Sequence, residues 1–141
     1  MAILAFIALV VGFFAIANNH AGSKNAAKST ERGSIKDLPV RMLSNMEIKK
    51  FLYTENMNMS VFYIHMPAGF KAEAKLHPEN DEFFYMVKGE NKGIIGGKEY
   101  LLKKGDYMFI PRGTKHQFYT EDSEVEVISI FNPPLENPKT D

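Results

Sequence analysis

Two stretches decide the reading of this chain: Gly69-Phe-Lys-Ala-Glu-Ala-Lys75-Leu-His77-Pro-Glu-Asn-Asp-Glu82-Phe-Phe-Tyr-Met-Val-Lys-Gly89 and Gly105-Asp-Tyr-Met-Phe-Ile-Pro111-Arg-Gly113-Thr-Lys-His116-Gln-Phe-Tyr-Thr120. In each, glycine or proline turns present histidine at a strand end. Side chains at i and i+2 of a strand share a face, so Lys75 and His77 point the same way. Glu82 opens the following strand after a proline-containing turn and can fold back towards His77. His116 follows a rigid Pro111-Arg112-Gly113 turn. Two imidazoles and one carboxylate emerge as candidate ligands.

Outward from these stretches, short apolar runs recur between turn residues every ~8–12 positions, and no 3.6-residue period lasts long enough for a substantial helix. The expected strands are Ile48–Thr54, Met59–Met66, Lys75–His77, Phe83–Lys88, Asn91–Ile95, Glu99–Leu102, Tyr107–Ile110, Gln117–Tyr119 and Val125–Phe131. Gly96-Gly97 suits a two-residue hairpin turn, because glycine reaches positive φ without a Cβ clash. Residues 133–141 contain Pro133, Pro134 and Pro138, which supply no N–H to a ladder, so they read as a surface tail. This is an all-β pattern of the sandwich or barrel kind.

The two stretches resemble the paired signature motifs of the cupin superfamily, G-x5-H-x-H-x3,4-E-x6-G and G-x5-P-x-G-x2-H-x3-N. Gly69, His77, Glu82 and Gly89 fall in register with the first, and Gly105, Pro111, Gly113 and His116 with the second. Together they span about a quarter of the chain. The resemblance implies a single double-stranded β-helix (jelly-roll) barrel over residues 37–132. In cupins that keep all four ligands, three histidines and the glutamate bind a divalent metal, so the resemblance assigns His77, Glu82 and His116 as metal ligands here. It does not distinguish iron, manganese, zinc or nickel. Lys75 stands where the family usually has its first histidine, and Thr120 replaces the closing asparagine.

Two histidines and one carboxylate still suffice chemically, as in the facial triad of non-haem iron oxygenases and in open three-ligand zinc sites. An ammonium at Lys75 would repel a cation, unless its head turns to solvent or its pKa falls. Lys75 is therefore either the partner of Glu82 in a metal-free pocket, or a clamp or base for substrate beside a metal. His65 lies on a strand apolar on both faces and reads as packed or otherwise satisfied. His20 falls in a polar linker. Tyr63, Tyr85 and Tyr107 are candidate hydroxyl donors to the pocket.

Composition bounds the partner. The 141 residues are 45% hydrophobic and 12% aromatic, enough for one core, and Lys plus Arg equal Asp plus Glu at 17 each. No net field favours nucleic acid, so a small molecule is the expected partner. The absence of cysteine removes disulfides, thiolate metal sites and cysteine nucleophiles. No G-x-S-x-G, H-E-x-x-H, P-loop or dinucleotide fingerprint occurs.

Residues 1–17, MAILAFIALVVGFFAIA, carry no charged side chain. Ala15-Ile16-Ala17 before Asn18 fits signal cleavage, whereas Lys24, Lys28 and Arg32 after the segment fit a membrane anchor. Export after cleavage is the expectation, with anchorage as the alternative. Residues 18–36 read as a flexible linker. The functional expectation is a divalent-metal-dependent enzyme of oxygenase, isomerase or lyase type acting on a small polar substrate, in which the cation polarises a substrate oxygen or activates dioxygen. The alternative is a non-catalytic, metal-free binding or sensing domain. The family resemblance further implies a homodimer.

Overall fold

In a computed structural model, residues 32–52 and 54–135 are described. The apolar segment 1–17 and the linker up to residue 31 lie outside them. Among the described residues no helix is long and apolar enough to cross a membrane.

Among the described residues nine strands form the domain: β1 (Arg41–Leu43), β2 (Met46–Lys50), β3 (Ser60–Met66), β4 (Asp81–Lys88), β5 (Glu90–Ile95), β6 (Lys98–Lys103), β7 (Tyr107–Ile110), β8 (His116–Tyr119) and β9 (Val125–Asn132). All pair antiparallel, in a six-stranded sheet ordered β1-β2-β3-β9-β4-β7 and a three-stranded sheet ordered β6-β5-β8. The all-β expectation holds.

The two inner faces follow from period-2 alternation. On β9, Val125, Val127, Ser129 and Phe131 are buried and alternate with more exposed neighbours. On β4, Glu82, Phe84 and Met86 are buried while Phe83 and Tyr85 face outward. Phe84 stacks on Phe118 of β8 across the sandwich, with ring centroids 4.6 Å apart and planes 6° from parallel. Met66, Met86, Ile110 and Val127 complete the main core around this stack. A second cluster, Ile48, Phe62 and Phe131, gathers Leu43, Met46 and Leu135 at its edge.

The Gly89 that closes the first motif has a steric reason. Its φ is 81°, and a Cβ there would collide with the carbonyl oxygen of Glu124. It follows the irregular β4–β9 register at Met86–Lys88, so the chain turns into β5 only because that position carries no side chain.

Several expectations are corrected. Lys75–His77 is not a strand: the segment from Lys71 to Lys75 forms isolated bridges with β8, Lys71 to Tyr119 and Lys75 to His116, and no continuous ladder. Pro78 closes it off. The strand expected over residues 48–54 ends at Lys50 and gives way to a 3₁₀ turn at Thr54–Met57. A hairpin that precedes it, β1 to β2, was not anticipated. It turns at Ser44, whose φ is 57°. The last linker residues are also ordered. Ser34 caps a 3₁₀ turn over Ile35–Asp37, and the Ile35 carbonyl accepts from Lys49 Nζ. Finally, the start of the tail is docked, since Leu135 N donates to Ser60 Oγ and Asn80 Nδ2 donates to the Pro133 carbonyl. Residues 136–141 lie outside the described residues.

Candidate metal centre

Glu82 is the inward-facing residue near the start of β4, paired with Ile110 of β7 on one side and Phe131 of β9 on the other. The strand period that places Phe84 and Met86 in the core therefore places a carboxylate there too. It is 5% exposed. Burial pushes its pKa from the ordinary carboxylate range up to about 7.

His116 opens β8 and is also buried. Its Nδ1 lies 3.0 Å from the Thr114 carbonyl oxygen. A carbonyl only accepts, so Nδ1 carries the proton and the neutral ring presents a bare Nε2 lone pair. That Nε2 lies 3.5 Å from Glu82 Oε2, and His77 Nε2 lies 4.0 Å from the same oxygen. Glu82 Oε2 has no hydrogen-bond donor among the described residues.

Two acceptors facing each other in a low-dielectric interior are repulsive unless something positive lies between them. Burial, chiefly, and then the charges of His116 and Lys75 bring His77 down to about 4. Burial likewise lowers His116. Both rings are thus neutral near pH 7, the form in which imidazole ligates metal.

The three ligand atoms lie within 4.8 Å of one another. Atoms held at ~2.1 Å around a tetrahedral cation sit roughly 3.4 Å apart, so a small inward movement closes this set on a divalent ion. The donor chemistry and spacing fit.

The elements that hold the three ligands are cross-linked. Asp81, adjacent to Glu82, accepts from the Arg112 backbone N at 2.9 Å and from Nη2 at 2.7 Å. Those bonds hold the Asp81 carboxyl down at about 2. Gly113 N donates to the His77 carbonyl at 2.8 Å, and Lys75 and His116 exchange both backbone hydrogen bonds at 2.8 Å. The turn before His116 is thus tied to both other ligands. Thr120, where the motif expects asparagine, receives a hydrogen bond from Phe70 N at 2.9 Å and donates to the Pro67 carbonyl at 2.6 Å. Its role is to pin the Pro67–Phe70 turn.

Lys75 lines the same cavity as His77, Glu82 and His116, as the shared strand face implied, but makes no ion pair with Glu82. The tyrosines do not reach the cavity. Tyr85 and Tyr107 are on the outer face, and Tyr63 faces Glu126, with burial foremost raising it to about 12. His65 Nε2 meets Glu124 Oε2 at 3.1 Å on the outside, a satisfied histidine as expected. Phe84, Phe118 and Phe131 line the cavity, but its wall also includes Leu43 and Met46 of the hairpin and Leu135 of the tail, which were not foreseen. Their only sequence signal was apolar character outside the recognised motifs.

Fold and site together define a small β-barrel with an inward-facing His–Glu–His cluster, of which Glu82 and His116 are buried and His77 is half-buried. The cupin domain model matches residues 62–131, and the chain belongs to the cupin superfamily. A protein of Aquifex aeolicus is 34% identical over 88 residues, covering 62% of this chain and 70% of that one. A predicted oxalate decarboxylase from Thermotoga maritima superimposes with a TM-score of 0.65 at 20% identity, over 70% of this chain and 96% of that one. The polyketide cyclase RemF from Streptomyces resistomycificus superimposes with a TM-score of 0.67 at 16% identity, over 78% and 83% respectively. At such identities the structural likeness shows the fold alone.

The protonation states set a pH dependence. The raised Glu82 contributes stability that is full below the ordinary carboxylate range and is lost as pH rises through about 7. The depressed His77 contributes stability that is full above the ordinary imidazole range and is lost as pH falls towards about 4. Between about pH 6.5 and 8 the His77 and His116 contributions approach completion while the Glu82 contribution is lost, so the two largely offset each other in the metal-free protein; metal ligation requires Glu82 ionised. Thermal unfolding over that interval should show the increase in Tm produced by Zn2+ growing with pH as Glu82 ionises. A Zn2+ effect that is flat or shrinks with pH would contradict these states.

Proposed function

We propose that this cupin domain binds one divalent cation through His77, Glu82 and His116 and acts as a metal-dependent enzyme on a small molecule held in the adjoining cavity. The observation that carries the reading is the bare His116 Nε2 facing the unpartnered Glu82 Oε2 at 3.5 Å. When bound, the cation supplies Lewis-acid polarisation of a substrate oxygen. Within the chain, His77 and His116 hold their lone pairs towards one point, and the protein wall limits water there. Glu82, at about 7, releases a proton on ligation. Lys75, lining the same cavity, pairs with a substrate carboxylate or other anionic group. Oxygenase, isomerase and lyase chemistries all accept this arrangement, and the fold does not choose among them.

A metal-free binding domain is the competing reading, favoured by the Lys75 charge that disfavours further positive charge at both imidazoles. Elemental analysis of the full chain separates the two. The proposal expects about one equivalent of divalent metal in the parent, lost in His77→Ala and in His116→Ala, both of which remain folded. Absence of metal from the parent after incubation with Zn2+, Mn2+, Fe2+ and Ni2+ would overturn it.

The homodimer is proposed on a separate observation. Outward-facing Phe83, Tyr85, Tyr107 and Phe109 of β4 and β7 are 37%, 40%, 69% and 59% exposed, and Phe83 stacks on Tyr107. At roughly 200–250 Å² per aromatic residue they present about 400–500 Å² of aromatic surface. That is more than half of the ~800 Å² each partner buries in a standard interface. A second copy offers the same face, and an isologous contact closes. Sedimentation should give a dimer for the full chain and a monomer for Tyr107→Lys/Phe109→Lys, whereas a monomeric parent or a dimeric variant would contradict this interface.

A further inference from the structure

The cavity that holds His77, Glu82 and His116 is lined mainly by apolar side chains. Beside that cluster and Lys75, its polar side chains are Glu73, Gln117 and Ser129. The rest of the wall is apolar: Leu43 and Met46 from the β1–β2 hairpin, Phe62 and Phe131 from the large sheet, and Leu135 from the segment after β9. His77 itself packs edge-on against Phe131, with ring centroids 5.1 Å apart. The cluster therefore shares its cavity with a largely apolar wall.

We infer that the ligand of this site is amphipathic: one carboxylate carried on an unsubstituted apolar body of about one ring or six to eight carbons. The inference rests on the metal-site reading above, which fixes the carboxylate end. The cavity volume is about 130 Å³, comparable with the ~150 Å³ apolar cavity that accepts benzene in another protein. A sugar or hydroxy acid would bring several hydroxyls against Leu, Met and Phe side chains, which offer them no hydrogen bonds, and each such burial is penalised. A hydrocarbon body gains instead, by about fourfold in affinity for each methylene removed from water. This replaces the small polar substrate expected from sequence with an apolar acid.

Leu43 and Leu135 are half-buried and lie outside the main core, so they can be altered without emptying it. Calorimetric titration of the full chain with acetate, L-malate, hexanoate and phenylacetate, each with and without saturating Zn2+, tests the inference. Hexanoate and phenylacetate should bind at least tenfold tighter than acetate or malate. Leu43→Asp and Leu135→Asp should each reduce that preference at least fivefold while Zn2+ stoichiometry stays at the parent value. Acetate or malate binding as tightly as phenylacetate would overturn the inference, as would a preference unaltered in both variants. Failure of the metal site registers separately, in the Zn2+ titration, because the preference is also read without metal.

Discussion

The structure depends on one constraint, the burial of the Glu82 carboxylate inside the barrel. β4 cannot place Phe84 and Met86 in the core without placing Glu82 there too, and its neighbours across the ladder are Ile110 and Phe131. Raising its pKa to about 7 corresponds to an ionisation penalty on the order of 3 kcal/mol. A carboxylate retained at that cost, beside two neutral imidazoles, is what the proposed cation shared by all three would offset.

Around that constraint the second motif acts as a brace. Arg112 grips Asp81, Gly113 grips the His77 carbonyl, and His116 pairs with Lys75 along the backbone. One short turn thereby fixes the relative positions of His77, Glu82 and His116, so the cluster sits on rigid elements of the barrel. Thr120 extends the same logic, pinning the loop that leads into the first motif. The departure from asparagine at that position is thus structural and leaves the ligand set untouched.

Much of this was legible in the sequence, for identifiable reasons. Glycine and proline mark turns whose geometry few other residues supply, so the spacing of Gly89, Pro111 and Gly113 singled out His77, Glu82 and His116, which the structure brings together. The shared face of Lys75 and His77 survived even though their segment is not a strand, because a bridge to His116 holds it extended. Other features were hidden. Within β4, residues 83–87 are a continuous apolar run, since Phe83 and Tyr85 cover the outer face while Phe84 and Met86 fill the core, so alternation alone could not assign faces. The β1–β2 hairpin turns at Ser44-Asn45, without the Asn-Gly or Gly-Gly signal that betrays most two-residue turns. Leu135 lies beyond two prolines that end the ladder, and only tertiary packing returns it to the cavity wall.

The central claim is that His77 and His116 face Glu82 as ligands rather than as packed rings. X-ray absorption fine structure of the Zn2+-loaded full chain reads this directly, because imidazole rings scatter differently from carboxylate and water. The account predicts two imidazoles and at least one oxygen in the first shell, at roughly 2.0–2.2 Å, with one imidazole lost in His116→Ala. A shell of oxygen neighbours alone, unchanged by that substitution, would contradict it.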